Sequence, residues 1–205
     1  MTAQRVLDVS EIPSVKISSE APLWWGQLLL ATIEGVMFCG LIAMYYYIRL
    51  TMDTWPPPGV ARPEQVSPAI CVVLLLASCI GSYVASEAAK KNNRRRMIFG
   101  LALNLVFATA AMTLRAINWS YWNFKWTTTA YGSITWGIMF VHTLDVVADM
   151  VFTAVLMVIL VRGRYGPRQR LGVHVDSVVW YCLVAIWIPL YITVFWGPVL
   201  VGGPR

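Results

Sequence analysis

Five apolar runs divide the chain, from Leu23 to Leu50, Ser67 to Ala89, Met97 to Ile117, Ala130 to Val161 and Ser177 to Val201. A helix needs about 20 mainly apolar residues to cross a hydrocarbon core, so the pattern predicts five transmembrane helices in an all-α, polytopic membrane bundle (residues 22–201). The interruptions carry their own signals. Trp55 to Gly59 reads WPPPG, where three consecutive prolines lack N–H donors, so this stretch predicts a stiff exterior turn. Pro189, deep in the last run, predicts a kink or an opened backbone carbonyl. Gly81, Ser82 and Ala85, and then Gly132, Ser133 and Gly137, predict close helix contact. Residues 1–21 lack a basic region leading into a small-residue cleavage site. They read as a short cytoplasmic leader, and residues 202–205 as an exterior tail.

Composition agrees with the pattern. Hydrophobic residues make up 58% and charged residues 13%, far from a soluble domain. The basic residues orient the bundle. Lys90 to Arg96 carries five, Arg162, Arg164, Arg168 and Arg170 follow the fourth run, and Arg5 and Lys16 lie in the leader, eleven of the 16 on one side. The other side has Arg62, Lys125 and Arg205, with Arg49 and Arg115 as charges at membrane ends. The positive-inside rule then places the N-terminus in and the C-terminus out. The net charge of +6 is thus a topology signal. It lies in two short loops suited to anionic lipid headgroups, without the extended patch that nucleic acid requires. Trp24, Trp25, Tyr45 to Tyr47, Trp119, Tyr121, Trp122 and Trp126 fit an aromatic belt. Cys39, Cys71, Cys79 and Cys182 lie in apolar runs without metal-like spacing and read as small buried hydrophobes with no disulfide.

The informative polar groups are inside the apolar runs. His142, Asp145 and Asp149 are spaced three and then four residues apart, on one stripe of a helix. Titratable groups at this depth cost several kcal/mol against lipid, so they predict a protein-facing or water-facing stripe. Either they form a hydrogen-bonded packing element or they carry chemistry. One imidazole and two carboxylates from a single helix do not close a metal site, so no metal is expected. Glu34 falls near the middle of the first run and Glu87 near the inner end of the second, where it reads as a snorkelling or paired charge. His174 reads as a solvated loop residue.

Taken in order, the residues carry a resemblance. Trp24, Thr32, Glu34, Gly35, Phe38, Tyr47 and Arg49 precede WPPPG; LLLAS at Leu74 to Ser78 follows, then Asn93 and Arg94, YGS at Tyr131 to Ser133, His142 and Leu144, and finally Asp176 to Trp180 and Trp187. This ordered set resembles subunit III of the heme-copper oxidases, the cytochrome c oxidase family, in its short five-helix form, over nearly all of Pro22 to Pro198. The resemblance implies an accessory chain beside catalytic subunit I and subunit II, with heme and copper in those partners and no redox centre or catalytic residue here. It implies bound phospholipid, oxygen access and sustained proton uptake, and a bacterial cytoplasmic membrane. Glu34 stands at the family's intramembrane glutamate. His142 matches the first histidine of the family's HxxH pattern, whose second is Asp145 here. Asn118 replaces a glutamate after the third helix, and the WHxxD pattern of the last helix appears as Trp180, Tyr181 and Val184. One reading is compensation, with His142 paired to Asp145 on its own helix. The other is a specialised branch serving a different partner, such as a nitric oxide reductase or an unusual oxidase. A stand-alone proton-coupled transporter is the competing class, and five helices without an inverted repeat argue against it.

Overall fold

The computed structural model describes residues 21–163 and 166–204, so residues 1–20 of the leader, with Arg5 and Lys16, and also Arg164 and Arg205 lie outside the described residues. Five long helices follow one another: α1 (Pro22–Leu50), α2 (Val66–Lys90), α3 (Arg94–Ser120), α4 (Ala130–Val161) and α5 (Pro167–Tyr191). All five, the last with its continuation to Leu200, are long and apolar enough to span a membrane.

Local chemistry sets the helix ends. Asn93 caps α3 by accepting from the Arg96 N–H at 3.1 Å, and Thr129 caps α4 by accepting from Gly132 at 3.1 Å. Gly163, at φ +84°, ends α4 in the left-handed conformation that glycine adopts most readily. Pro22 and Pro167 open α1 and α5 at positions where a missing N–H costs nothing. The fifth helix therefore begins ten residues before Ser177, because the basic stretch read as a loop continues it past the apolar run. His174 is accordingly not a solvated loop residue. It is half-buried on α5, with Nδ1 2.8 Å from Ser86 Oγ. Beyond Pro189 the chain passes into a π-helical turn, Ile192–Trp196, and a last helical turn, Gly197–Leu200. Proline removes one rung of the helix ladder, and a π turn is a recognised accommodation.

The closest packing is between α2 and α3. A Cβ on Gly81 would stand 2.5 Å from the Asn104 backbone nitrogen, and one on Gly100 2.5 Å from that of Ala85. Only glycine at both positions allows this approach. Asn104 Nδ2 donates to Ser82 Oγ within the same contact. From α5, Trp180 Nε1 donates to Ser78 Oγ at 2.8 Å and Ser177 Oγ to Ser82 O at 3.0 Å, which fixes α5 on α2. Arg94 caps the far end of α4 with hydrogen bonds to Leu160 O and Val161 O at 2.8 and 2.9 Å, where helix carbonyls favour a cation. Helix α1 is peripheral: 11% of its apolar span is buried, against 28–44% for the other four, so it packs on α4 and α5 from one side. Cys39 lies on its exposed face and is not the buried hydrophobe expected; Cys71 is buried.

At the end where α1 finishes and α4 starts, aromatic rings form the core. Trp55 from WPPPG is 1% exposed and donates to Tyr45 Oη at 3.0 Å, with Tyr131 edge-on to it at 4.7 Å. Thr54–Trp55 (β1) pairs antiparallel with Gly203–Pro204 (β2), so these two residues of the expected tail are tied to the turn. Arg49, the expected membrane-end charge, joins the same region: Nε donates to Val201 O at 2.7 Å and Nη1 to Met52 O at 3.0 Å. Gly132 fits against the Lys125 carbonyl, whereas Gly137 has nothing within 4 Å of its Cβ position and opens onto a groove beside Trp126, Trp136 and Phe140.

Candidate functional site: a carboxylate-lined cavity beside a buried arginine and histidine

The stripe on α4 divides in two. At 3.6 residues per turn, Asp149 lies nearly in line with His142 two turns away, while Asp145 is rotated by about 60°. His142 and Asp149 are buried, and Asp145 is half-buried.

His142 faces α3 and α5, not Asp145. Arg115 Nη1 donates to His142 Nδ1 at 3.1 Å and to Thr143 Oγ1 at 2.9 Å. A guanidinium has no lone pair to offer, so Nδ1 is the acceptor and the ring proton sits on Nε2, which donates to Leu183 O at 3.1 Å. Both ring nitrogens are committed, and the ring is neutral. This replaces the expected His142–Asp145 pair. Trp187 lies 5.0 Å from the imidazole, and Arg115 Cζ stands 4.0 Å above the Trp187 ring, a cation–π contact. Arg115 is therefore a packed charge, not a solvated one. It stands five residues inside α3, is 3% exposed, and has no carboxylate partner among the described residues. Asn118, one turn further, donates to Glu64 Oε2 at 3.2 Å. Hydrogen bonds from Ser67 hold the Glu64 carboxyl below its ordinary range.

Further along α4, toward its C-terminal end, lies a cavity of about 220 Å³ between α1, α4 and α5. Glu34 from α1, Asp145 and Asp149 from α4, and Asp176 from α5 line it, and no Lys, Arg or His does. Glu34, twelve residues along α1, is about 18 Å from the start of that helix. Asp176 is 1% exposed and accepts from Thr153 Oγ1 at 2.9 Å. Replacing Thr153 with valine, which keeps the volume, should leave Asp176 without its donor. We expect about 1–2 kcal/mol of lost stability, seen as a lower midpoint of thermal unfolding in detergent.

The sequence brought Glu34, Asp145 and Asp149 to notice, and the structure places them together. It does not bring Glu87 to them: that residue pairs with Lys90 at 2.8 Å near the end of α2. Asp176 was missed as a site residue because it precedes the run taken as the fifth helix. Its signals were its place beside Ser177, at the start of that run, and its membership of the Asp176 to Trp180 segment that carries the resemblance. Among the described residues no three His, Cys, Asp or Glu side chains are grouped to hold a metal.

The fold and this site define a polytopic membrane protein whose polar groups are held between helices at depth. A family model for cytochrome c oxidase subunit III matches residues 15–199, and the chain belongs to that family. Among its relatives, cytochrome c oxidase subunit 3 of Coturnix japonica is 24% identical over 181 residues, covering 85% of this chain and 69% of the relative. The Anopheles gambiae protein of the same name gives the same figures. That of the cyanobacterium Synechocystis sp. is 24% identical over 178 residues, covering 83% of this chain and 74% of the relative.

Proposed function

We propose that the chain is the accessory, non-redox subunit III of a heme-copper terminal oxidase of a bacterial cytoplasmic membrane, oriented N-in and C-out. It binds catalytic subunit I and subunit II, in which heme and copper carry electrons to oxygen and protons are translocated. The observation that carries this reading is the family match across 185 residues, from 15 to 199. The site supports the non-redox part: His142 spends both nitrogens on Arg115 and Leu183, and His174 binds Ser86. The chain has only these two histidines, fewer than a heme-copper catalytic chain needs. The role is to stabilise the complex, place lipid against the bundle, and support oxygen access and proton uptake, with Glu34, Asp145 and Asp149 as the intramembrane groups concerned.

Removal of the chain from the purified complex tests the role. Heme content and the initial rate of oxygen reduction should persist while activity decays over repeated turnovers. Immediate and complete loss of oxygen reduction, with hemes intact, would contradict an accessory role. In the assembled complex, Asp145→Asn should leave the heme spectrum unchanged and lower sustained turnover or subunit retention by a few-fold at most, because the side chain is half-buried and touches no reacting group.

A further inference from the structure

Three carboxylate oxygens at the cavity have no donor. Oδ2 of Asp145, of Asp149 and of Asp176 each lacks a hydrogen-bond partner among the described residues. Asp149 and Asp176 are 9% and 1% exposed, so bulk water does not serve them. A buried acceptor without a donor costs about 1–3 kcal/mol, and more when it is charged. These oxygens come from two helices, and Glu34 adds a carboxylate from a third. Such a cluster is complementary to a cation that brings several N–H donors. Direct metal ligation is disfavoured by the spacing, since no three of these groups are placed to hold one ion.

The surroundings select the source of that cation. The rim is apolar: Leu30 and Phe152, which line the cavity, are each 47% exposed. An apolar helix fits such a surface. A lipid tail does so too, but it brings no donor, and a headgroup amine that enters past Gln27, at the end of the cavity nearer the start of α1, has about 10 Å of helix still to pass before Glu34. A basic side chain on a neighbouring helix reaches that depth. An ammonium supplies three donors and a guanidinium five.

We propose that the cavity formed by Glu34, Asp145, Asp149 and Asp176 is a docking socket for an arginine or lysine side chain carried at mid-membrane depth by a helix of a partner chain. This rests on the reading of the chain as one subunit of a complex. A basic residue at the centre of a membrane helix is costly alone, as are ionised carboxylates. Pairing them only on assembly makes the contact selective for the correct neighbour.

The test uses the full-length chain in its native complex, with a photo-crosslinking benzoylphenylalanine at Phe152. The expected adduct is a single partner chain, through a peptide in an apolar span that contains an arginine or lysine. The double variant Asp149→Asn/Asp176→Asn should lower retention of the chain in mild detergent about tenfold. Replacing the crosslinked partner's basic residue by methionine should do the same, and combining the two changes should add little. An adduct to aminophospholipid alone, an adduct peptide without a basic residue, or full retention of the double variant overturns the proposal. If the unmodified chain itself copurifies with no heme-bearing chain, the subunit reading fails and the docking proposal with it. If it copurifies and the double variant is equally retained, only the docking proposal fails.

Discussion

Leucine in place of Gly100 should prevent the chain from folding. The position is closed on the side where a Cβ would point: Ala85 N lies 2.5 Å away and Gly81 O 2.7 Å away, both backbone atoms of the facing helix. Side chains can rotate out of a tight contact, but a helix backbone cannot, so α2 and α3 would have to part along their length. That separation would also strain the Asn104–Ser82 hydrogen bond and move α2 relative to α5. We expect a loss of about 3 kcal/mol or more, a large part of the 5–15 kcal/mol typical of a whole domain. Size-exclusion profiles of the tagged chain in mild detergent should show aggregate in place of a monodisperse peak. Gly137→Leu is the control, since nothing lies within 4 Å of the added Cβ, and it should elute as the unmodified chain does.

Arg115→Ala should come close to the same effect, and Arg115→Met should be much milder. Alanine takes away the cation–π contact with Trp187 and the donors to His142 and Thr143, and it leaves a hole in a well-packed core. The expected cost is about 3–5 kcal/mol. Methionine fills most of the volume and also removes a buried charge that no described carboxylate balances; His142 Nδ1 and Thr143 Oγ1 lose a donor, but the hydroxyl keeps its own hydrogen bond to Met139 O. Its cost should stay below about 2 kcal/mol. The ratio of the two unfolding shifts separates packing from charge: similar losses for both variants would mean that the guanidinium itself, not its volume, holds α3 to α4 and α5.

These two predictions rest on features of different legibility. The five helices were readable from hydrophobic runs, and α4 matches its run from Ala130 to Val161. The close contact at Gly81 was readable because small residues on an apolar helix have few other uses. The start of α5 was not. Arg168, Arg170 and His174 look like loop in a hydropathy pattern, yet a helix can extend beyond the hydrocarbon, and Pro167 starts this one early. An apolar run that starts at Ser177 leaves Asp176 outside the acidic stripe, although the resemblance runs through it, and the stripe then looks like a property of α4 alone. The pairing of His142 was hidden for another reason. Its partner Arg115 is 27 residues away on α3, whereas Asp145 is its neighbour in sequence. Helical spacing puts Asp145 on a similar face, but only packing determines that the imidazole turns to α3 and the carboxylate to the cavity.

The histidine and arginine form one polar network. Arg115 is supported by an aromatic face, a neutral imidazole and a hydroxyl. Glu64 reaches the same region through Asn118 from the loop before α2. This polar network joins α3, α4 and α5, and the acidic groups of α1, α4 and α5 line a separate cavity further along α4.

The most direct measurement is affinity purification of the tagged full-length chain from its native membrane in mild detergent, with a reduced-minus-oxidised spectrum and mass spectrometry of every band. The subunit III reading predicts heme absorbance in the same peak and an equimolar heme-copper catalytic chain. A heme-free, monodisperse chain that moves protons alone in liposomes would contradict it.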